Sequence, residues 1–353
     1  MIFELQKIEG DINKINEVPL VFLENAQLAG VCDRNLVPDW FKPVYRRCPG
    51  VKEKFVAFFK DFKTVDKSKQ DFLINLYKNS KDVHKICDDC TIKLVDVSKI
   101  DKEIRASFVS LIKFLFEQTV GTKTFQEATK MHIDDHYDNF IEENEIHVCP
   151  FCGLETYSIP EHRRAEYDHY LPISRYPWLG VNFDNLVPMG DICNGKKNQC
   201  DVLYSDKARK NRRKVWYPYE WLPHNISLEC TKKPDLKDTK GGWKVNIDAA
   251  DSANDEKINT WRTIFNIDVQ FSAMIRRYQK QFVSHFARKN QIAGENLEIE
   301  QLKEELNKYI DNGIGDPKME TMIELRKVWA QYYIDCVDNS QLVILLNAIR
   351  ILK

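Results

Sequence analysis

The sequence predicts a mainly α protein with a small α+β core at its centre and helical regions on both sides. Two observations carry that expectation. Apolar residues recur at helical spacing through long stretches of the N-terminal and C-terminal parts. Between them, Cys149 to Lys197 gathers cysteine, proline, asparagine and glycine into short motifs that no amphipathic helix needs. At 353 residues the chain is long enough for about two cores. The expected divisions are a helical N-terminal domain over 1–140, the central core over 141–222 and a mainly helical region over 223–353.

The elements follow in order. The first forty residues, with several Pro and Asn, are less regular. Phe55, Val56, Phe58, Phe59 and Phe62 mark one helix, and Phe108, Leu111, Ile112 and Leu115 a second. Thr124 to Glu143 reads as a single helix that delivers the chain to Cys149. Its His132 and His136 stand at i, i+4, a ligand-capable spacing, but with no third ligand they read as surface or packing residues. Beyond the core, Pro223 to Asn254 is rich in turn formers, including Gly241-Gly242, with a short strand at Trp243–Ile247. Thr260 to Ala287 carries Trp261, Ile264, Phe265, Phe271, Ile275 and Tyr278 at helical spacings. Glu298 to Ile310 is a charged helix broken by the Gly-Ile-Gly-Asp-Pro that ends at Pro317. The apolar segment from Leu342 onward reads as a core helix.

Composition narrows the function classes. With 52 Lys and Arg against 53 Asp and Glu, the net charge is −1, so no general basic excess drives nucleic-acid binding. The excess is local: Lys196 to Lys214 holds eight Lys or Arg against Asp201 and Asp206. Trp216, Tyr217 and Tyr219 follow at once, and basic residues interleaved with aromatics suit phosphate gripping and base stacking. Ten cysteines in so long a chain do not describe a small disulfide-stapled secreted fold. The opening Met1-Ile-Phe-Glu-Leu-Gln-Lys7 lacks a signal-peptide pattern, and no apolar run reaches membrane-spanning length. A cytoplasmic location with no membrane partner is therefore expected.

The central segment carries the chemistry. It sets Cys149-Pro-Phe-Cys152, Asp168-His169-Tyr-Leu-Pro172, Asn185-Leu-Val-Pro188 and Cys193-Asn194-Gly-Lys-Lys197 in that order. In-line phosphodiester cleavage needs a base to take a proton from water and a divalent cation to neutralise the phosphate and leaving oxygen. His169 is the candidate base, since neutral imidazole accepts a proton near neutral pH. On a strand its neighbour Asp168 faces the other way, free to hold metal. The Asp168 carboxylate and Asn194 amide oxygen are hard donors that suit Mg²⁺.

These motifs resemble the ββα-metal core of HNH endonucleases, in the variant whose terminal His is replaced by Asn. The resemblance covers Cys149 to Lys197. It implies that His169 is the general base, that Asp168 and Asn194 bind Mg²⁺ or Mn²⁺, and that Asn185 braces the loop behind the base. Lys196 and Lys197 are expected to grip DNA, with Arg209, Lys210, Arg212, Arg213 and Lys214 extending the contact. The layout is similar to HNH nucleases of bacterial anti-phage defence systems, Septu-type or retron-linked, some of which work beside an ATPase. The chain has no Gly-x-x-x-x-Gly-Lys-Ser/Thr loop, so ATP use would fall to a partner or sensor subunit. The oligomeric state is left open.

Cys149-x-x-Cys152 has zinc-knuckle spacing. Relatives commonly add a second Cys-x-x-Cys ending just before the helix Asn. Cys193 holds that last position, but Gly190 stands where its partner belongs. A structural Zn²⁺ on Cys149, Cys152 and Cys193 is expected, with the fourth ligand open among Cys200, Asp191, His147 and His162. Cys200 is awkward, because seven residues of helix span roughly 10 Å. Cys87-x-x-Cys90, near His84, reads as ordinary reduced cysteines. Three classes remain: a metal-dependent DNase, a non-catalytic zinc-containing DNA-binding module, and a helical interaction subunit.

Overall fold

The computed structural model describes residues 4–157, 167–198, 200–230, 242–292, 297–336 and 338–351. Helices dominate, with two small antiparallel sheets among the described residues. The N-terminal part holds α1 (Val18–Leu28), α2 (Lys42–Arg47), α3 (Pro49–Thr64), α4 (Lys67–Lys78), α5 (Val83–Asp88), α6 (Lys102–Phe114), α7 (Lys123–Thr129) and α8 (Ile133–Asn144). The phenylalanines that predicted α3 and α6 meet in one aromatic core: Phe58 lies 5.6 Å from Phe108 and Phe55 4.7 Å from Phe22. Asp66, Asp82 and Asp101 each accept a backbone N–H at the start of α4, α5 and α6, satisfying amides that a helix cannot bond internally.

Two expectations here are corrected. The first forty residues contain α1, which buries Leu20, Phe22, Leu23 and Ala26; Pro19 sits in its first turn, where a missing N–H costs nothing. The single helix expected over Thr124–Glu143 is two. Lys130 adopts a left-handed conformation (φ 60°) that ends α7. His132 then opens α8, its ring accepting from Asp134 N while its own N–H donates to the Asp135 carboxylate. α6 also runs into one wide π turn, Leu115–Thr119.

At the centre, β1 (Tyr167–His169) pairs antiparallel with β2 (Leu186–Pro188), Asp168 opposite Val187 and His169 opposite Leu186. α9 (Asp191–Lys197) follows. The C-terminal part opens with a second ribbon, β3 (His224–Cys230) on β4 (Trp243–Ala249). β4 contains the predicted strand. β3 was passed over among the turn formers of Pro223–Asn254, although Ile226, Leu228 and Cys230 alternate along it with Ser227 and Glu229; of the three only Leu228 is buried. The helical spacings over Thr260–Ala287 belong to two helices, α10 (Asp255–Phe265) and α11 (Ile267–Lys289), separated by Asn266 at φ 53°, a conformation Asn tolerates better than most residues. α12 (Ile299–Lys308), α13 (Ile323–Asp335) and α14 (Asn339–Ile351) complete the chain. α14 buries Leu342, Leu345, Leu346 and Ile349, as a core helix does.

One hydrophobic core runs through all three regions. Long-range hydrogen bonds tie the central segment to both flanks. Trp261 Nε1 donates to Phe151 O (2.9 Å), Met322 N to Gly153 O (2.8 Å), and Gln6 N to Asn144 Oδ1 (2.6 Å). No described helix is long and apolar enough to cross a membrane. Trp261 is fully buried, so Trp261→Phe strands the Phe151 carbonyl and should cost about 1–3 kcal/mol. Urea unfolding of the variant checks this, and an unchanged midpoint would show that the bond does not hold the knuckle to α10.

Candidate functional site

Alternation along β1 sorts its side chains. Tyr167 and His169 are buried and Asp168 is half-buried on the opposite face. The Tyr167 hydroxyl meets His136 Nδ1 at 2.8 Å, anchoring the strand to α8, which gives His136 a packing role. His169 Nε2 lies 2.9 Å from Gly180 O. A carbonyl only accepts, so Nε2 carries the hydrogen and Nδ1 keeps its lone pair. Burial lowers the His169 pKa to about 4, which keeps the ring neutral near pH 7. Phe116, on the π turn after α6, packs edge-on against this ring with centroids 4.5 Å apart.

The Gly180 carbonyl belongs to the loop between β1 and β2, and Asn185 holds that loop. Fully buried, Asn185 accepts from Leu171 N through Oδ1 (2.7 Å) and donates through Nδ2 to Leu171 O (2.9 Å). Tyr170 N adds a bond to Asn185 O at 2.8 Å. Gly180 itself has no room for a side chain: a Cβ would lie 2.8 Å from Ile112 on α6 and 3.0 Å from Pro177 O. The loop, α6 and the imidazole therefore form one fixed unit.

On the other face, Asp168 Oδ2 accepts from Lys197 Nζ at 2.5 Å, and Lys197 is only 1% exposed. Lys197 is thus inside the site, not on a DNA-facing surface as expected. Asn194 precedes it by three residues on α9, a spacing that puts both on one helix face. The ribbon and helix so bring Asp168 and Lys197 together, with Asn194 one turn earlier on the same helix and His169 on the reverse of the strand.

The cysteines converge. Ligand atoms of Cys149, Cys152, Cys193 and Glu155 all lie within 4.8 Å of one another, an arrangement that could hold a metal ion such as zinc. The knuckle is a tight turn: Gly153 takes φ 65° and donates to Cys149 O at 2.8 Å. Gly190 N and Leu154 N donate to the sulfurs of Cys149 and Cys152, each at 3.4 Å. Hydrogen bonds from Cys149 and Cys193 hold the Cys152 thiol well below its ordinary range. Among the candidate fourth ligands, Cys200, Asp191 and His147 are exposed and outside the group, and His162 lies outside the described residues. Cys87 is a buried core residue.

Sequence reasoning missed Glu155. Its signal was the hairpin itself, because the bridge between Val148 and Thr156 returns the chain past Cys149 and turns the intervening carboxylate toward the thiols. Phe116 and Gly180 carried no signal, since their roles depend on packing between distant segments.

The basic run is corrected in part. Arg209 is held by Asp96, Asp201, Leu94 O and the Tyr176 hydroxyl and lies against the Tyr204 ring. Arg212 bonds to carbonyls of Ile86, Ile92, Leu203 and Arg213, and Arg213 to Val202 O. Arg209 and Arg212 staple the 201–215 segment to α5 and the loop after it, and Arg213 closes the segment on itself. Lys214 is partly exposed with Asp88 3.8 Å away, while Lys196 and Lys210 are exposed. Trp216 and Tyr217 are buried, and the Tyr217 and Tyr219 hydroxyls donate to Asp184 O and Leu186 O, bracing β2 rather than offering stacking faces.

No protein-family model, curated protein or solved structure matches the chain.

Two predictions follow from burial. The pKa values of His169 and His136 are both lowered to about 4, against the usual 6.5 of an exposed imidazole. Between those values the unfolded chain binds protons that the folded one does not. Their contribution to stability is therefore complete above about pH 6.5 and is lost as pH falls toward 4, at about 1.4 kcal/mol per pH unit for each residue. Unfolding near pH 5 should take up close to two protons from this pair, and the proton count from the pH dependence of urea midpoints, with a His136→Gln control, checks it. Asn185→Ala should cost about 1–3 kcal/mol and free the loop, read as faster amide exchange at Tyr170 and Leu171.

Proposed function

We propose that the chain is a metal-dependent endonuclease of the HNH type that hydrolyses DNA phosphodiester bonds with His169 as general base. One observation carries this reading: a neutral imidazole, tautomer fixed by Gly180 O, backs onto a carboxylate that is tied through Lys197 to the short helix carrying Asn194. A buried histidine kept only for packing needs neither a loop clamped by Asn185 nor Asp168 and Asn194 beside it.

His169 Nδ1 takes a proton from the attacking water, and the imidazolium formed still donates through Nε2 to Gly180 O, so the ring does not turn during transfer. Asp168 and Asn194 would hold the catalytic cation. Their oxygens fit a hard ion, and the Lys197 ammonium on Asp168 marks the place as one that favours positive charge. Bound there, Mg²⁺ or Mn²⁺ supplies charge neutralisation at the phosphate and departing 3′ oxygen. The products are a 5′-phosphate and a 3′-hydroxyl. Zn²⁺ on the cysteine cluster is structural. DNA contact falls to exposed lysines such as Lys196 and Lys210. The layout adds an effector role in bacterial anti-phage defence, in the cytoplasm, beside an ATPase or sensor subunit; co-purification from the native host tests that partner.

A second reading has its own observation. Phe116 covers His169 and Lys197 pairs with Asp168, as in a non-catalytic zinc-containing DNA-binding or interaction subunit. Digestion of plasmid, linear and single-stranded DNA in Mg²⁺, Mn²⁺ or EDTA separates the two. The nuclease reading expects metal-dependent cutting that falls about 10²–10⁴-fold in His169→Ala with DNA binding retained. Equal behaviour of the two proteins supports the second reading. Lys196→Ala and Lys210→Ala should each reduce the salt dependence of DNA binding by about one charge, whereas Arg212→Ala should lower stability.

A further inference from the structure

The cysteine cluster is one ligand short by the pattern of paired Cys-x-x-Cys motifs, and the shortfall falls at Gly190. The structure shows what occupies that space. A Cβ built on Gly190 would meet Glu155 Cδ at 2.3 Å, Oε1 at 2.4 Å and Cγ at 2.6 Å. A side chain at 190 and the Glu155 carboxylate therefore exclude each other.

We infer that Glu155 is the fourth ligand of a Cys₃Glu zinc site, and that Gly190 is bare because the carboxylate reaches the ion through the space a residue-190 thiol would take. The three sulfurs and a Glu155 oxygen span no more than 4.8 Å. Ligands about 2.3 Å from a tetrahedral zinc stand roughly 3.8 Å apart, so small shifts close the shell. Glu155 does a second job from the same position. Its Oε2 accepts from Ile192 N (3.1 Å) and its Oε1 from Cys193 N (3.3 Å), the first amides of α9. One oxygen on the metal leaves the other on the helix, so ligation and the placing of α9 are a single event.

This inference rests on the metal-binding reading of the cluster and not on the nuclease reading, and its test involves no cleavage. Wild type, Glu155→Ala, Glu155→Gln, Gly190→Cys and the double variant Glu155→Ala/Gly190→Cys are compared for zinc content, zinc affinity by chelator competition and the cobalt-substituted absorption spectrum. Wild type should hold one zinc and give a three-thiolate cobalt spectrum. Glu155→Ala and Glu155→Gln should each bind zinc roughly tenfold or more weakly, the Gln amide offering one acceptor oxygen where the carboxylate offers one to the ion and one to the helix. Gly190→Cys alone should push the Glu155 carboxylate, the movable end of its side chain, from its present place and change the three-thiolate spectrum. The double variant should recover affinity with a four-thiolate spectrum, and because it rebuilds the shell it stays informative if Glu155→Ala fails to fold. A wild type without zinc, Glu155 variants with unchanged affinity, or a double variant no better than Glu155→Ala would each overturn the assignment.

Discussion

A seven-residue helix cannot hold itself together in water, because nucleation costs more than so few hydrogen bonds return. α9 is such a helix, and the site depends on where it is fixed. Its first turn is tied by Glu155 and by Cys193 in the cysteine cluster; its last turn is tied by Lys197 to Asp168 on β1. Between the two ties sits Asn194. The placing of the helix that carries Asn194 is thus set by a thiol-carboxylate cluster at one end and the Lys197–Asp168 ion pair at the other, not by helix propensity.

The opposite face of β1 is fixed by different means. His169 takes its orientation from a backbone carbonyl, the carbonyl from a loop, and the loop from the Asn185 amide and the close approach of Gly180 to α6. Burial then keeps the ring neutral, which is the state a proton acceptor needs. The same burial places Phe116 over the ring. Access to the His169 ring is consequently coupled to the end of α6, and the N-terminal helices are part of the site's construction.

Much of this was legible in the sequence, for identifiable reasons. Asp168, His169, Asn185 and Asn194 stand in motifs whose spacing is local, and the strand, loop and short helix around them follow from it. The phenylalanines of α3 and α6 were legible because their periodicity reports a buried face directly. What escaped depends on contacts between segments distant in sequence. Lys197 and Arg212 read as solvent-facing charges because sequence does not show the carboxylate at Asp168 or the carbonyl cage around the guanidinium. Glu155 was passed over because its carboxylate reaches the thiols only through the hairpin that the Val148–Thr156 bridge closes, which spacing along the chain does not reveal. Helix ends at Lys130 and Asn266 were missed because neither glycine nor proline marks these left-handed positions.

In the function we propose, one short helix joins two chemically different metal sites, a soft one at Cys149, Cys152, Cys193 and Glu155 and a hard one at Asp168 and Asn194. Crystals grown with zinc and soaked in Mn²⁺, with anomalous diffraction recorded at energies that distinguish the two metals, test it most directly. The account predicts zinc in the cysteine cluster and manganese between Asp168 and Asn194, with the Lys197 ammonium moved off Asp168 Oδ2. An intact Lys197–Asp168 pair with no manganese beside it, in crystals that carry the ion elsewhere, would contradict the account.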